Sequence, residues 1–362
     1  RYIPYYDENM VGKIGKAAFD HWRYQIDEQL RQHATPDGFV FMTGVNFAYR
    51  EHLRNFKCTL ERVGMNDHFV VAALDSEVYK WGVLQGFPIY LAESAKQAGA
   101  VFRLGSEFGS PGFVSVTKYK SLAVLEVLKK SYSVIWCDVG ISWFVHPFDA
   151  LAGYMKPNSG LAIQSNAPYI DNPNYIAQPH KTVAALNQTD APAAYRRLNS
   201  GLYVAPHSPL MISAFSEIVE HGAQSKLTEQ PSFDEILCHR RPSERGHSHC
   251  TYRPRPKFLR SVSRIARYIF GLKQLPDSLH IELLDRFQFP NGAVLVGERN
   301  ENVYKLKDSF AEKTGVALYA AHNNWITGDG MKKKRQVEAG WWFSKTVDSC
   351  VYPGEEQRQN QN

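Results

Sequence analysis

No apolar stretch in this 362-residue chain approaches the ~20 residues that a membrane-spanning helix needs. The five cysteines, Cys58, Cys137, Cys238, Cys250 and Cys350, form no closely spaced pairs, which excludes a zinc finger or ribbon. The chain has no internal repeat and no recognised nucleic-acid motif, and its first residue is Arg1 rather than Met. A signal or membrane anchor upstream of this residue is therefore expected.

Apolar residues make up 44% of the chain and charged residues 22%, ordinary values for a globular protein with a sizeable core. The length suits one large α/β domain with embellishments, or two closely packed subdomains. Phe19, Trp22, Ile26 and Leu30 recur at helical spacing and predict an amphipathic N-terminal helix. Strands are expected at Phe39–Thr43, Phe69–Leu74, Pro88–Leu91, Leu161–Gln164 and Leu202–Ala205. Helices are expected over 46–63, from Glu77, over Lys118–Lys130, and near Met211–His221 and Phe233–His239. Strands alternating with helices predict a mostly parallel, doubly wound sheet. Phe287–Gly292 returns the chain to this core, with Gly292 as a turn residue, and the Gln-rich tail over 351–362 is expected to be disordered.

The net charge of +6 is uneven. Between His239 and Lys273 there are eight Arg and two Lys against one Glu, so the remaining chain is net negative. Such a patch without regular aromatic interleaving reads as a solvated insertion that recruits an anionic acceptor, a membrane surface or a partner, not nucleic acid. Cys238 and Cys250 flank a short polar loop and are candidates for a disulfide, and Asn187-Gln188-Thr189 is a glycosylation sequon. Both suit a secretory compartment.

The most informative stretch is Ser133–Phe144, a buried β run that delivers Asp138 to the strand's carboxyl tip. Ligands of α/β sheets collect at such tips, so Asp138 stands where a metal or a phosphate would be handled. Three distant segments add to it: Leu198-Asn199-Ser200-Gly201-Leu202-Tyr203-Val204, Glu229-Gln230-Pro231-Ser232-Phe233, and His322–Gly328 followed by Lys332, Lys333, Lys334 and Arg335. Each is unspecific alone. Their order and spacing resemble the nucleotide-diphospho-sugar transferases, retaining glycosyltransferases with a GT-A fold, and most closely the group called family 77. The resemblance runs from about Phe39 to Phe343.

The resemblance implies a domain over 37–350, preceded by a helical segment over 1–36. It also implies a Mn²⁺ or Mg²⁺ ion held by two aspartates one residue apart and a distant histidine. Asp138 matches the first aspartate and His322 the histidine, but Gly140 stands where the second aspartate is expected. Loss of that carboxylate weakens the site and leaves three readings open: a metal held by Asp138, His322, the diphosphate and water; a metal-free enzyme using lysines; or a fold that has lost activity and serves as a scaffold.

Lys332–Arg335 are expected to supply one or two cations to the diphosphate, and Lys120 matches a basic position near the donor. Thr43 and Asn46 are placed to meet base and ribose, with Tyr49 either stacking or in the core. Glu229-Gln230 replaces an Asp-Gln pair that lies under the sugar in the resembling enzymes; it also reads as a helix start. No carboxylate nucleophile stands at Gln230, which favours same-face attack. Gln164, Ser165 and Asn166 are candidates for donor or acceptor contact, Asn199 and Gly201 for a close backbone approach, and Asn324 and Gly328 for the donor. Trp325, Trp341 and Trp342 are candidates for an acceptor platform, with burial in the core as the plainer outcome. The expected function is transfer of galactose, xylose or arabinose from a UDP-sugar to a glycan or glycoprotein hydroxyl in the Golgi lumen.

Overall fold

The computed structural model describes residues 25–66, 68–93, 111–156, 159–166, 198–238, 250–255, 278–292, 317–326, 328–345 and 349–352, with only the backbone given for 111–116. The glycosylation sequon, most of the basic insertion, most of the N-terminal helix and the tail from 353 lie outside them.

In chain order the elements are α1 (Ile26–His33), β1 (Phe39–Val45), α2 (Arg50–Arg62), β2 (Val70–Ala73), α3 (Ser76–Leu84), β3 (Ile89–Leu91), α4 (Pro111–Lys129), β4 (Ser133–Cys137), β5 (Ile141–Trp143), α5 (Pro147–Leu151), β6 (Leu161–Ser165) and β7 (Leu198–Ala205). They continue with α6 (Pro209–Gln224), α7 (Gln230–Cys238), β8 (Thr251–Tyr252), β9 (Leu279–Leu283), β10 (Ala320–His322) and α8 (Asp329–Glu338). Eight strands form one sheet in the order β3-β2-β1-β4-β7-β6-β9-β8, and β5 pairs with β10 in a small second sheet.

The expected α/β architecture is present, with a mostly parallel sheet. The pairs β1–β2, β2–β3, β1–β4 and β6–β9 are parallel, while β7 runs antiparallel to both β4 and β6 and β8 is antiparallel to β9. Strand β7 begins at Leu198, four residues before the expected start, and it brings Asn199, Ser200 and Gly201 into the sheet edge that carries Asp138.

Both faces of the sheet are covered, so its central strands are buried at every position and mostly apolar rather than alternating. Val40, Met42, Val134 and Trp136 point to one face, which packs on α1, α4, α6 and α7. Phe39, Phe41, Ile135 and Cys137 point to the other, against α2, α3, α5 and the small sheet. Phe41 meets Phe56, Trp143 and Phe148 there. Trimming so enclosed an aromatic to alanine costs about 3–5 kcal/mol.

The connections turn β1 toward β2 and β3 on one side, and β4 then returns to the other side of β1. The carboxyl ends of β1 and β4 therefore flank a topological switch point, where open α/β sheets bind their ligands. Two disulfides are present. Cys238–Cys250 is the expected pair, while Cys58–Cys350 spans 292 residues and ties α2 to the C-terminal segment. Cys137 is free and buried. Among the described residues no helix is long and apolar enough to cross a membrane.

Candidate functional site

A cavity of about 280 Å³ opens at the switch point between β1 and β4. Asp138 sits at its centre because β4 ends at Cys137 and a tight turn, closed by Ile141 N–H donating to the Asp138 carbonyl, starts β5. The β5–β10 ladder pairs Ile141 with His322, which sets the imidazole beside the carboxylate: His322 Nε2 lies 3.9 Å from Asp138 Oδ2. From the other side, Asp138 N–H donates to the Gly201 carbonyl of β7 at 2.8 Å.

Lys120 reaches the same carboxylate from α4, its Nζ 2.7 and 2.9 Å from the two oxygens. The Nε1–H of Trp136 donates to Oδ1 at 3.2 Å. Burial alone would raise the Asp138 carboxyl, but the Lys120 ammonium and the hydrogen bonds from Lys120 and Trp136 outweigh it and hold it below the usual carboxylate range. Burial likewise opposes the Lys120 charge, and Asp138 overcomes it, so the ammonium is stabilised. The result is a charged pair that stays partly open to the cavity, with 17% of the Lys120 side chain and 23% of the Asp138 side chain exposed.

His322 is different. Burial, aided by the nearby cations Lys332, Lys120 and Arg335 and opposed by Asp138, lowers it to about 3, so the ring is neutral over the physiological range. It lies directly on the backbone of Gly201, where a Cβ would come 2.2 Å from His322 Cε1. The close approach expected at Gly201 is thus made by this imidazole. Gly292 is likewise dictated by contact rather than by a turn, since a Cβ there would lie 1.9 Å from the Asn324 carbonyl oxygen.

Glu229 and Gln230 line the floor, just ahead of α7 and at its first residue, so the helix-start and cavity readings hold together. Glu229 is 3% exposed and accepts from the Ser121 hydroxyl at 2.9 Å and the Ser200 hydroxyl at 3.3 Å. Burial and the Asp138 charge raise it to about 8 against the pull of Lys120. It is a neutral acid at rest. Of the basic run, Lys332 lines the cavity and is lowered by burial and by the cations around it, Asp138 opposing. Lys333 lies over the Trp342 ring, Lys334 pairs with Glu338, and Arg335 holds Asn323 and the Asn324 carbonyl.

Asn46, Lys120, Asp138, Gly140, Asn199, Gly201, Asn324 and Lys332 also line the cavity, so most of the residues picked out by sequence converge. Three do not. Thr43 is fully buried in the middle of β1, because that strand runs on to Val45. Gln164 is buried behind His322. Gly328 is exposed at the start of α8, outside the lining, with φ +90°. The three tryptophans also separate: Trp341 is buried, Trp342 packs edge-on to His52, and only Trp325 reaches the cavity.

Sequence reading missed Trp136, although residues two apart on a strand share a face. It missed His52 as well, whose Nε2 lies 2.7 Å from Asp329 Oδ1 under the helix that carries Lys332. No local signal joins those two.

Asp138 and His322 could offer two ligands to one divalent cation, a carboxylate and a neutral imidazole nitrogen 3.9 Å apart, and the place of a side chain at Gly140 is open, with nothing nearer than Asn323 O at 4.0 Å. Among the described residues, the one three-residue group with metal-ligand spacing is Cys58, Glu61 and Cys350, whose cysteines are bonded to each other.

The chain is 30% identical over 330 residues to an Arabidopsis thaliana protein named beta-arabinofuranosyltransferase RAY1, covering 91% of this chain and 52% of that one. It is 24% identical over 241 residues to the UDP-galactose:fucoside alpha-3-galactosyltransferase of Dictyostelium discoideum, covering 65% and 29%. It is 21% identical over 329 residues to the UDP-D-xylose:L-fucose alpha-1,3-D-xylosyltransferase 1 of Arabidopsis thaliana, covering 89% and 75%. The chain thus spans about half the length of the first of these and less than a third of the second. Among solved structures, mouse xyloside xylosyltransferase 1 aligns with a TM-score of 0.38 at 14% identity, over 79% of this chain and 98% of that one. The family model of the nucleotide-diphospho-sugar transferases matches residues 64–337, a span that holds β4, Glu229-Gln230, His322 and Lys332. This chain belongs to the nucleotide-diphospho-sugar transferase family.

Proposed function

We propose that this chain is a retaining glycosyltransferase that moves a sugar from a UDP-activated donor to a glycan or glycoprotein hydroxyl. The supporting observation is the meeting of Asp138, His322, Lys120, Lys332 and Glu229-Gln230, from separate segments, in one cavity at the switch point. Residues 37–350 are the catalytic unit in this reading. The names of the relatives make galactose, xylose and arabinose the donor sugars to try first.

Transfer requires that the leaving diphosphate be neutralised and that the electron-poor anomeric carbon be met on one face. Mn²⁺ or Mg²⁺, held by Asp138 and His322, would supply the Lewis acid for the diphosphate. Lys332 and Lys120 add fixed positive charge where the phosphates would lie, an electrostatic contribution that needs no reorganisation at the moment of reaction. Asn46, beyond β1, contacts the nucleoside. Neutral Glu229 is able to donate to a sugar hydroxyl as well as accept from one, and it holds its place through Ser121 and Ser200. The Gln230 amide would face the anomeric carbon in this reading and carries no charge that would form a covalent adduct, which favours same-face attack within an ion pair.

The two disulfides favour a secretory compartment, in line with the Golgi lumen. Gly140 favours one rival, a scaffold on a decayed transferase fold. Hydrolysis of UDP-galactose, UDP-xylose and UDP-arabinofuranose with and without Mn²⁺, repeated in Asp138→Ala, separates the two. Metal-stimulated turnover that disappears in the variant is expected. Turnover that persists removes Asp138 from the reaction, and neither turnover nor UDP binding in the wild type leaves the scaffold.

A further inference from the structure

We propose that Trp325 is an acceptor subsite, stacking its indole against the C–H face of a neutral sugar ring. This rests on the donor reading above and names what the other side of the same cavity takes.

Trp136, Trp143 and Trp341 are buried, whereas Trp325 is 52% exposed at the cavity wall. Its backbone sits at φ +57°, an uncommon region for a bulky residue. The ring is nevertheless held: Nε1–H donates to Asn166 Oδ1 at 3.2 Å, and the same oxygen receives the Asn199 amide at 3.0 Å. The polar edge of the indole is thus turned to the sheet and satisfied. Its apolar surface is left at the opening, the disposition by which Trp serves a partner that is apolar on one side and wet on the other. Pyranose and furanose rings have that character.

The position argues against the nucleoside as occupant. Asn166 follows β6, which lies beyond β7 on the far side of β4 from β1. The nucleoside side is the β1 side, where Asn46 lines the cavity. A ring stacked on Trp325 therefore approaches Asp138 and Gln230 from the half of the sheet that the donor's base does not use.

Charge narrows the class. The cavity's described lysines are directed elsewhere, Lys120 to Asp138 and Lys332 over the Tyr49 ring at 5.4 Å. Among the described residues, the polar groups bonded at the indole edge are the amides of Asn166 and, through it, Asn199, and Arg335 is taken up by Asn323 and the Asn324 carbonyl. Amides suit hydroxyls and give no special hold on a carboxylate or a phosphate.

The test uses methyl α-L-fucoside, methyl β-D-galactoside and methyl α-L-arabinofuranoside as probes, with methyl β-D-glucuronide as the anionic control. Saturation-transfer NMR is run on the wild type, Trp325→Phe and Trp325→Ala with UDP and Mn²⁺ present, and the melting shift from UDP is read on each. At least one neutral glycoside is expected to bind the wild type through its ring C–H protons. Trp325→Phe keeps that binding, Trp325→Ala weakens it about ten-fold or more, corresponding to about 1.4 kcal/mol, and the UDP shift is equal in all three. No neutral glycoside binding in the wild type, or equal binding in Trp325→Ala, overturns the subsite, and equal binding of the glucuronide overturns its neutrality. Loss of the UDP shift in Trp325→Ala alone would give the residue to the donor and overturn the proposal. No UDP shift in the wild type overturns the donor reading, and the subsite with it.

Discussion

Gln164 fixes which nitrogen of His322 carries the proton. Its Nε2 donates to the Phe289 carbonyl at 2.9 Å, and that carbonyl accepts only, so Oε1 is left facing His322 Nδ1 at 2.8 Å. The imidazole must then be protonated at Nδ1, and its Nε2 lone pair is turned toward Asp138. Partners of this kind commonly change metal affinity by about 10–100-fold. Gln164→Leu is expected to weaken Mn²⁺ binding within that range, read by electron paramagnetic resonance of free Mn²⁺. Gln164→Glu, which still accepts from Nδ1, loses less. Equal Mn²⁺ affinity in Gln164→Leu would sink the tautomer argument.

Gly201→Ala tests the same imidazole from below. The added methyl would overlap His322 Cε1, and backbone held in the sheet cannot yield as easily as the ring. The variant is expected to fold and to lose Mn²⁺ binding and UDP-sugar hydrolysis together. Retention of both would mean that β7 gives way instead.

Lys120→Met leaves the Asp138 charge buried without its close cation. Breaking a fully buried pair in this way costs about 3–5 kcal/mol, and the partial exposure of both side chains makes that an upper bound here. A fall in the urea midpoint is expected, partly recovered by millimolar Mn²⁺, because a metal at Asp138 and His322 replaces the missing charge. Recovery by Mg²⁺ or Mn²⁺ but not by Na⁺ at equal ionic strength is the distinguishing result.

Glu229 gives a pH signature. Its folded pKa, about 8, lies above the ordinary glutamate value of 4.5, so its contribution to stability is complete below about 4.5 and is lost as pH rises through about 8. Ligand-free protein should therefore lose stability across that window. Glu229→Gln should flatten this part of the profile; an unchanged slope in chemical denaturation at pH 5, 7 and 9 would assign it to other groups.

The sheet and the centre of the site were legible because continuous apolar strands ending in a polar residue leave a plain trace: Ser133–Cys137 before Asp138 is one, Phe69–Leu74 before Asp75 another. Thr43 was misplaced since β1 carries two more small or apolar residues, Gly44 and Val45, before its tip at Asn46. Gln164 was read as a ligand contact because a strand-end amide looks alike whether it faces a cavity or a neighbouring histidine 158 positions away. The bulge between Ile163 and Gln164, which resets the β6–β7 register, has no signal of its own. The Cys58–Cys350 bond was equally hidden, since spacing does not reveal disulfide connectivity.

That bond closes most of the chain, from residue 58 to residue 350, into a covalent ring. A single protease nick anywhere between Cys58 and Cys350 opens the ring without producing two separate pieces. Clipped protein should migrate as one species on a denaturing gel until thiol is added, and then divide in two. Surface loops inside the ring are thus shielded from one consequence of damage: a severed strand stays tethered to its neighbours and keeps the chance to settle back.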